Sequence, residues 1–250
     1  MQIGYYIAKK LSFSKQQSFT KTITVLAISA VSISVCVVIL AFGILLGFKK
    51  EIQAKVRGYA GDISITRYQL ADGSESNLFT IDSTFTAKAK NTPGVETIYP
   101  FIRKQGILKS DSTLEGIVLK AVPANYNFSF YQKHLKRGHV PHYTDSIDSY
   151  DILLSEYTAT IMGVDTGDNL NLYFLDNRDV RRRRPKVVGI FNTGLQEFDK
   201  YFAIAHLRSI QRIVTPDYQT AYTKVAGYEV RISDYEQASL TKGSLSLLLD

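Results

Sequence analysis

An uncharged stretch of about 27 residues constrains the fold of this chain more than any other feature of its sequence. It runs from Thr22 to Phe48, and its centre reads VSISVCVVILAFGILL. As an α-helix the stretch would be about 40 Å long, which exceeds the roughly 30 Å hydrocarbon core of a bilayer. The sequence therefore predicts a transmembrane helix at residues 22–48 that crosses with some tilt, and its serines can bond to carbonyls of their own helix.

A cleavable signal peptide is the alternative to a retained helix. The apolar run is about twice as long as a normal signal-peptide core and begins after mostly polar residues. No convincing small-x-small cleavage site precedes Lys49, so the sequence favours retention. The basic residues on the two sides are equal in number, and the positive-inside rule therefore gives no orientation. We expect a cytoplasmic N-terminus, because the other side carries the large domain.

The segment before the helix, residues 1–21, is expected to lie at the cytoplasmic membrane surface. It can form a short amphipathic helix whose lysines lie near lipid headgroups. The residues that suggest this are Ile3, Tyr6, Ile7, Lys9, Lys10, Leu11 and Lys15.

The net charge of +7 lies entirely in the first 60 residues, because the remaining residues hold equal numbers of basic and acidic side chains. A basic excess that flanks an apolar run suits anionic membrane lipids better than a nucleic-acid backbone, so we expect no nucleic-acid partner. Cys36 is the only cysteine and lies inside the apolar run, which excludes a disulfide or a cysteine metal site within the chain.

Small side chains recur at helical spacing along the apolar run. Such residues let helix backbones approach closely, and GILLG matches the small-xxx-small pattern of packed membrane helices. They predict packing against partner helices, although small residues are also common in membrane helices generally. The residues are Ala27, Ala30, Ser34, Ala41, Gly43 and Gly47.

The chain beyond the membrane, residues 49–250, has the mixed patterns of an α+β domain with mixed sheets. Residues Val95–Ser110 and Thr113–Val122 predict an antiparallel strand pair across a short turn. We predict further strands at Asp62–Arg67, Asp151–Leu154, Asn169–Leu175, Pro185–Phe191, Tyr201–Ala205 and Val225–Ser233, and helices at Thr80–Lys90, Glu156–Met162, His206–Val214 and Tyr235–Leu249. This order suggests two subdomains, one inserted in the other.

The sequence contains no motif for catalysis or for a cofactor. It has no G-x-x-x-x-G-K-[ST] and no G-x-S-x-G, so we expect neither ATP hydrolysis nor an enzyme nucleophile in this chain. His139 and His142 could bind zinc, but a polar surface loop is favoured because no third ligand has a recognised spacing. Asp145, Asp148 and Asp151 lack the spacing of a calcium loop.

Four consecutive arginines, Arg181–Arg184, stand in a predicted hairpin turn at Asn177–Arg184. Four guanidinium groups in a turn cannot all be buried, so the turn is expected to project into water. Two interpretations stay open. The run is either a solubilising turn or a docking surface for an acidic partner or for lipid headgroups.

Three stretches of the sequence together match one known family. The first is YYIAKKLSFSKQQSFTKTITVLAISAVSISVCVVILAFGILLGFKKEI, the second is GVETIYPFIRKQGIL, and the third is GVDTGDNLNLYF followed by VVGIFNTGLQEFDKYFAIAHL. These stretches resemble the LolC/LolE lipoprotein-releasing permeases. The first two are shared with the wider MacB/FtsX permease group. The third is specific and carries the family pattern at Gly189, Phe191, Thr193, Gly194, Glu197, Phe198 and Asp199.

The resemblance implies a cytoplasmic N-terminus and a MacB-like periplasmic domain. Its Porter-like subdomain would span about 58–122 and 206–250, interrupted by a Sabre-like subdomain at about 123–205. The family also has three further membrane helices after this domain, so we expect the chain to be the N-terminal half of a permease.

The resemblance implies a permease of two like or unlike subunits, driven by a separate P-loop ATPase, that extracts acylated lipoproteins from the inner membrane. In LolC-type subunits a hairpin called the hook recruits the periplasmic lipoprotein chaperone. The matching hairpin is Leu175–Pro185, with Asn177, Arg178, Arg181, Arg182, Arg183, Arg184 and Pro185 as expected docking residues. The alternatives are a MacB- or FtsX-like efflux or force-transmitting permease, and a membrane-anchored binding module without a transporter.

Overall fold

The structure is a computed structural model. It describes residues 19–67, 78–110, 113–176, 179–215, 217 and 220–248, together with 3, 6, 7, 9 and 10 near the N-terminus. The chain divides into two compact units, Met1–Ala54 and Lys55–Asp250. The first of these units holds most of one long helix, and the second holds the folded α+β domain.

The long helix, α1, spans Phe19–Ala60 and contains the predicted transmembrane stretch. It is long and apolar enough to cross a membrane, and its membrane-candidate portion runs from Lys21 to Ala60 with no burial in the apolar window. Ser29 and Ser34 donate to the carbonyls of Leu26 and Ala30, each at 2.9 Å, as predicted for serines in this helix. The predicted turn of amphipathic helix before it has helical backbone at the five described residues.

The folded domain alternates strands with short helices. Its strands are β1 (Ile63–Thr66), β2 (Phe79–Thr80), β3 (Val95–Lys109), β4 (Leu114–Val122), β5 (Leu135–Gly138), β6 (Asp151–Ser155), β7 (Asn171–Asp176), β8 (Asp179–Arg183), β9 (Lys186–Phe191), β10 (Phe202–His206), β11 (Lys224–Val225) and β12 (Gly227–Ile232). Its helices are α2 (Ser83–Lys90), α3 (Ser129–Lys133), α4 (Glu156–Met162), α5 (Gln196–Asp199), α6 (Leu207–Val214) and α7 (Ala238–Ser246), with 3-10 turns at Ala221–Thr223 and Tyr235–Gln237.

Ten of these strands form one mixed sheet in the described part of the chain. Its order is β1-β12-β3-β4-β10-β6-β9-β5, and the β7–β8 hairpin joins through the far end of β3. Parallel pairs (β4 with β10, β6 with β9) alternate with antiparallel pairs such as β3 with β4. The strands β2 and β11 form a separate antiparallel pair. These pairings confirm the predicted α+β class with mixed sheets.

Strand β3 changes partners along its length. Its first half, through Phe101, pairs with β12, and from Ile102 onward it pairs with β4. Pro100 lies just before the change, where β12 is the only described strand that pairs with β3. A proline is tolerated there because the other edge needs no backbone donor. One strand of 15 residues therefore serves two portions of the sheet.

Three hydrophobic cores surround the sheet. One face of the β4-β10-β6-β9 portion packs Leu119, Leu154 and Ile190 with helices α4 and α6. The opposite face is aromatic, with a core that contains Tyr99, Tyr126, Tyr131, Tyr143, Leu153, Phe191 and Ile204. The third core lies on the β12 portion and packs it against α2 and α7 through Phe85, Ala89, Val225, Tyr228, Val230, Ile232 and Leu245.

The predicted boundaries of the Porter-like and Sabre-like subdomains stay a prediction. The structure places Leu119 and Ala121, predicted for the Porter-like part, in the same core as Ile152 and Ile190. The third core, by contrast, draws on residues from both predicted Porter-like segments. The distribution of residues among these cores favours a boundary between two subdomains inside β3 rather than after β4.

Candidate functional site at the end of the long helix

The last turn of α1 enters the folded domain and is buried there. Tyr59 is only 4% exposed, and a Cβ atom built on Gly58 would lie 2.0 Å from the ring of Phe130. The domain approaches the helix so closely at this position that only glycine fits. The helix ends at Gly61, whose φ of +75° is the left-handed conformation common after helix C-termini and whose N–H donates to the Arg57 carbonyl at 2.9 Å.

Two cations from neighbouring parts of the sheet bind the last carbonyls of the helix. Lys120 Nζ, on β4, donates to the Tyr59 carbonyl oxygen, and Arg231 Nη2, on β12, donates to the Gly58 carbonyl oxygen at 3.0 Å. The C-terminal carbonyls of a helix lack partners within the helix and carry partial negative charge. Both cations are therefore placed where the helix attracts them.

Glu229 balances the positive charge between these two cations. Its carboxylate is ion-paired with Lys120 and lies 3.1 Å from Arg231 Nη2, and the Tyr126 hydroxyl donates to it at 3.3 Å. Lys120 is fully buried and Glu229 is 1% exposed. Buried charges of this kind persist only when paired and hydrogen-bonded, so the group behaves as one unit. We call Lys120, Glu229 and Arg231, with Tyr126, the buried charge cluster.

Burial shifts the protonation equilibria of the buried charge cluster. It lowers the pKa of Lys120 to about 8, although the neighbouring Glu229 carboxylate acts in the opposite direction. The amine therefore remains largely protonated at neutral pH and can donate to the Tyr59 carbonyl. Burial also raises the pKa of Tyr59 and of Tyr126, so both phenols stay neutral.

A second ion pair lies beside the helix end. Arg57 pairs with Asp62, and the other Asp62 oxygen accepts from the Ile232 N–H at 2.9 Å. The Arg57 guanidinium also lies 5.3 Å from the ring centroid of Tyr235, a cation–π distance. These contacts attach the helix end to the far end of β12.

The specific family motif forms a tight loop between β9 and α5 that packs against the same helix end. Asp199 is 5% exposed and accepts from the Thr193 N–H at 3.0 Å, the Thr193 hydroxyl at 2.8 Å and the Gly194 N–H at 3.1 Å. Burial raises the pKa of Asp199, while the hydrogen bonds from Thr193 and Gly194 lower it. The carboxylate therefore organises the loop.

The motif loop contacts the helix through aromatic rings. The Phe198 and Tyr59 ring centroids are 4.7 Å apart, and Phe202 lies 4.6 Å from Tyr59. Gly194 has a φ of +72°, and a Cβ there would meet Lys55 Nζ at 3.2 Å. Phe191 lies in the aromatic core, Gly189 is closely packed in β9, and Glu197 is exposed.

The predicted docking hairpin exists as the β7–β8 hairpin, but the prediction that the arginines form its turn is wrong. Arg181, Arg182 and Arg183 lie on strand β8, paired with Phe174, Tyr173 and Leu172. Strand alternation puts Arg181 and Arg183 on one side, half-buried, and leaves Arg182 exposed. The aliphatic part of an arginine side chain can cover apolar surface while its guanidinium group reaches polar groups. A prediction based on charge alone therefore placed these residues in a turn.

Each arginine of the hairpin has a different environment. Arg181 Nη1 donates to the Ile213 carbonyl at the end of α6 at 2.6 Å, and Arg182 Nη2 donates to Asn171 Oδ1 at 2.7 Å. Arg184 is exposed and Pro185 is buried. A cleft of about 430 Å³ opens between β8 and the end of α6, lined by Val180, Arg181, Arg182, Arg183, Arg212, Thr215 and Ala221. Asn177 and Arg178 lie outside the described residues.

Three other predicted features lie away from the end of α1. Ala27, Ala30, Ser34, Ala41, Gly43 and Gly47 are all exposed on α1, and their packing against partner helices stays a prediction. His139 and His142 are exposed, with ring centroids 6.3 Å apart. Asp148 pairs with Arg208 and Arg212 of α6.

Sequence reasoning missed the buried charge cluster. A lysine inside the apolar strand LEGIVLKAV and a Glu–x–Arg inside YEVRI were the local signals, since a charge at an inward-facing strand position requires a partner. Residues 120 and 229 are far apart in the chain, so nothing local links them.

A family model for MacB-like periplasmic core domains matches residues 24–243. The chain belongs to this family. The match confirms the resemblance that the motifs indicated.

This MacB-like chain is 24% identical over 91% of its length to the lipoprotein-releasing system transmembrane protein LolC of Xylella fastidiosa strain 9a5c, covering 53% of that protein. It is 22% identical over 94% of its length to LolC of Neisseria meningitidis serogroup B, covering 55%. The chain thus spans about half the length of the curated relatives it matches. The periplasmic region of MacB from Actinobacillus actinomycetemcomitans shares the fold, with 15% identity, a TM-score of 0.51, and coverage of 78% of this chain and 85% of that one.

Proposed function

We propose that this chain is the N-terminal part of a permease subunit that releases acylated lipoproteins from the bacterial inner membrane. The observation that carries the proposal is the similarity to LolC proteins over more than nine-tenths of the chain. The domain would lie in the periplasm, the N-terminus in the cytoplasm, and membrane lipids would surround residues 22–48. The small residues of α1 would pack against a second permease subunit.

The proposed action is mechanical. A separate P-loop ATPase would move the membrane helices, and α1 would transmit that movement because it continues as one helix from the apolar stretch to the buried last turn. The periplasmic domain would then change its hold on a lipoprotein and pass it to a chaperone. No catalytic group of this chain takes part in the proposal.

The β7–β8 hairpin is the proposed docking surface for the periplasmic lipoprotein chaperone. Arg182 and Arg184 present exposed guanidinium groups there, and Leu175 and Val180 expose 56% and 65% of their surface beside them. Exposed apolar side chains with arginines nearby are typical of a protein-binding patch, since exposed apolar surface marks interaction sites and arginine is enriched among the residues that dominate binding energy. The described lining of the neighbouring cleft has four arginines and no acidic residue, which suits an acidic partner.

Binding of the purified chaperone to the full chain in lipid nanodiscs tests this proposal. We expect specific binding that falls at least tenfold in an Arg182→Ser/Arg184→Ser variant. These two positions are chosen because Arg181 supports the end of α6 and its replacement would disturb the fold. The matched control is Lys133→Ser/Lys136→Ser, which removes two exposed cations elsewhere and should leave the affinity unchanged.

The outcomes separate the parts of the proposal. Binding that survives the double arginine change would keep lipoprotein release and remove the docking role of the hairpin. If neither the chaperone nor an acylated lipoprotein binds the wild-type chain, the release function is wrong. The efflux or force-transmitting permease would then be the better hypothesis.

A further inference from the structure

We propose that Lys120, Glu229 and Arg231 are positioning residues that join the end of α1 to two different cores of the domain, so that the helix end, β4 and β12 move as one body. The proposal concerns how movement passes through the domain. It does not depend on which substrate the permease carries.

The first step is that the two cations come from strands that serve different cores. Lys120 lies on β4, whose neighbours Leu119 and Ala121 belong to the core with α4 and α6. Arg231 lies on β12, whose neighbours Val230 and Ile232 belong to the core with α2 and α7. Strand β3 separates β4 from β12 in the sheet, so these two strands share no backbone hydrogen bonds.

The second step is that the side chains bridge this separation at the helix. The two cations bind consecutive carbonyls of α1, and Glu229 contacts both of them. The Tyr126 hydroxyl adds a contact to Lys120 Nζ at 3.3 Å and to Arg231 Nη2 at 3.4 Å. Each core is therefore connected to the helix end directly and to the other core through Glu229.

The third step is that these contacts cannot slip individually. Moving the helix away from β4 would take the Tyr59 carbonyl away from the buried Lys120 ammonium group, and moving β12 away would separate the Glu229 carboxylate from Lys120. Unpaired buried charges are strongly unfavourable, so small displacements carry all three parts along. The cluster thus has the properties of a rigid joint. A helix cap would need only the bonds to the helix carbonyls, whereas this cluster also connects two cores.

Hydrogen exchange of the full chain in lipid nanodiscs tests the joint. In Lys120→Met, which keeps the length and volume of the stem, we expect exchange of the Gly61 amide to rise at least tenfold. We also expect a rise of several-fold in β12, around Val230, although the substitution is on β4. The Gly61 N–H bonds to Arg57 in the last turn and therefore reports on the helix end.

A second destabilising variant distinguishes a rigid joint from general destabilisation of the fold. Leu119→Ala lies next to Lys120 but points into the opposite core, and comparison is made at temperatures equally far below each melting temperature. We expect the control to raise exchange around β4 while the helix end and β12 stay near the wild-type values. If the control and Lys120→Met give the same pattern, the cluster only stabilises the fold and the proposal is wrong.

A milder variant keeps the test decisive if Lys120→Met does not fold. Arg231→Lys retains the positive charge but lacks the planar guanidinium whose Nη2 contacts both Gly58 and Glu229. We expect its exchange at Gly61 to rise by severalfold and exchange in β4 to rise with it. Unchanged exchange at Gly61 and in β4 would overturn the proposal.

Discussion

At the scale of single residues, close approaches between neighbouring segments determine which side chains this domain tolerates. A Cβ atom on Gly189 would lie 2.3 Å from the His139 carbonyl oxygen and 2.8 Å from Leu153 Cδ1. Strand β9 can therefore pair with β5 and β6 at this position only because glycine occupies it. The motif glycine is thus explained by packing within the sheet.

We predict that Gly189→Ala destabilises the domain by about 1–3 kcal/mol, because the added methyl group overlaps backbone atoms that cannot move away freely. Thermal unfolding of the full chain in detergent measures the effect. Gly116→Ala is the matched control, since it also lies in a strand but has no atom within 4 Å of the added Cβ. A control that loses as much stability as Gly189→Ala would contradict the explanation.

His206 is a buried histidine that is expected to make the stability of the domain depend on pH. The ring is 1% exposed, stacks on Tyr143 with centroids 4.6 Å apart, and accepts from the Ser149 N–H through Nδ1 at 3.3 Å. Burial lowers the pKa of His206 below its usual value of about 6.5, although Asp145 and Asp148 oppose the shift. The unfolded chain therefore binds this proton more tightly than the folded chain does.

We predict that the free energy of unfolding falls as the pH is lowered from about 7 through 6.5 toward the folded-state pKa of His206. His206→Asn should remove this part of the pH dependence, because its Oδ1 can accept from Ser149 without titrating. Melting temperatures of both proteins between pH 5 and 8 test the prediction. Equal slopes for the two would show that His206 is not the group responsible.

At the scale of elements, short helices and loops of the domain are ordered by side chains that bind backbone groups. The loop between β9 and α5 depends on Asp199, which accepts from two backbone N–H groups and one hydroxyl. The loop in turn places Phe198 against Tyr59. Its order therefore affects how the domain contacts the end of α1.

We predict that Asp199→Ala costs about 2–4 kcal/mol, because it leaves the buried N–H and hydroxyl of Thr193 without their acceptor. Chemical denaturation of the full chain measures the loss, and near-ultraviolet circular dichroism should report altered packing of the Phe198 and Tyr59 rings. Asp165→Ala is the control, since Asp165 is exposed and its pair with Arg137 is expected to contribute about 0–1 kcal/mol. Equal losses at the two positions would argue against a buried role for Asp199.

The sequence predicted elements well where local signals were complete. Helix α4 has the predicted bounds Glu156–Met162, because Ser155 caps its start and Gly163 ends it with a φ of +65°. The prediction failed for Arg181–Arg183, where charge suggested a turn and strand pairing with apolar partners formed instead. Helix α7 begins later than predicted, because a 3-10 turn at Tyr235–Gln237 precedes it.

The candidate site was predicted only in part, for a physical reason. The motif loop has its residues within a short segment, so its pattern could be recognised. Lys120 and Glu229 meet only through the tertiary fold, and their attraction leaves no pattern in either strand. A lysine in an apolar strand indicates that some partner exists, but the residue that fills this role depends on the order of strands.

At the scale of the whole domain, β3 ties the cores together. At about 3.3 Å per residue its 15 residues extend for about 50 Å, and along this length Ile98, Tyr99 and Ile102 each contribute to a different core. Loss of packing in one core would expose part of β3, and the other two cores also pack on this strand. The domain at residues 55–250 is therefore expected to unfold as one cooperative unit.

We predict a single calorimetric transition for this domain, with equal calorimetric and van't Hoff enthalpies. Val230→Ala in one core and Leu154→Ala in another should each lower the melting temperature of that same transition. Neither substituted residue lies on the β7–β8 hairpin. Two transitions, each sensitive to only one of the variants, would mean that the cores unfold independently.

The partner change within β3 also limits how such domains can exchange parts during evolution. A recombination that exchanges only strand β8 changes exposed residues such as Val180 and Arg182 and spares the buried Leu172 and Phe174 of β7, so surfaces there can diversify. A recombination point that separates the β12 portion from the β4 portion must divide a single strand between two parents. Chimaeras of the two portions would then inherit mismatched halves of that strand, whereas chimaeras that exchange β8 would keep the strand whole.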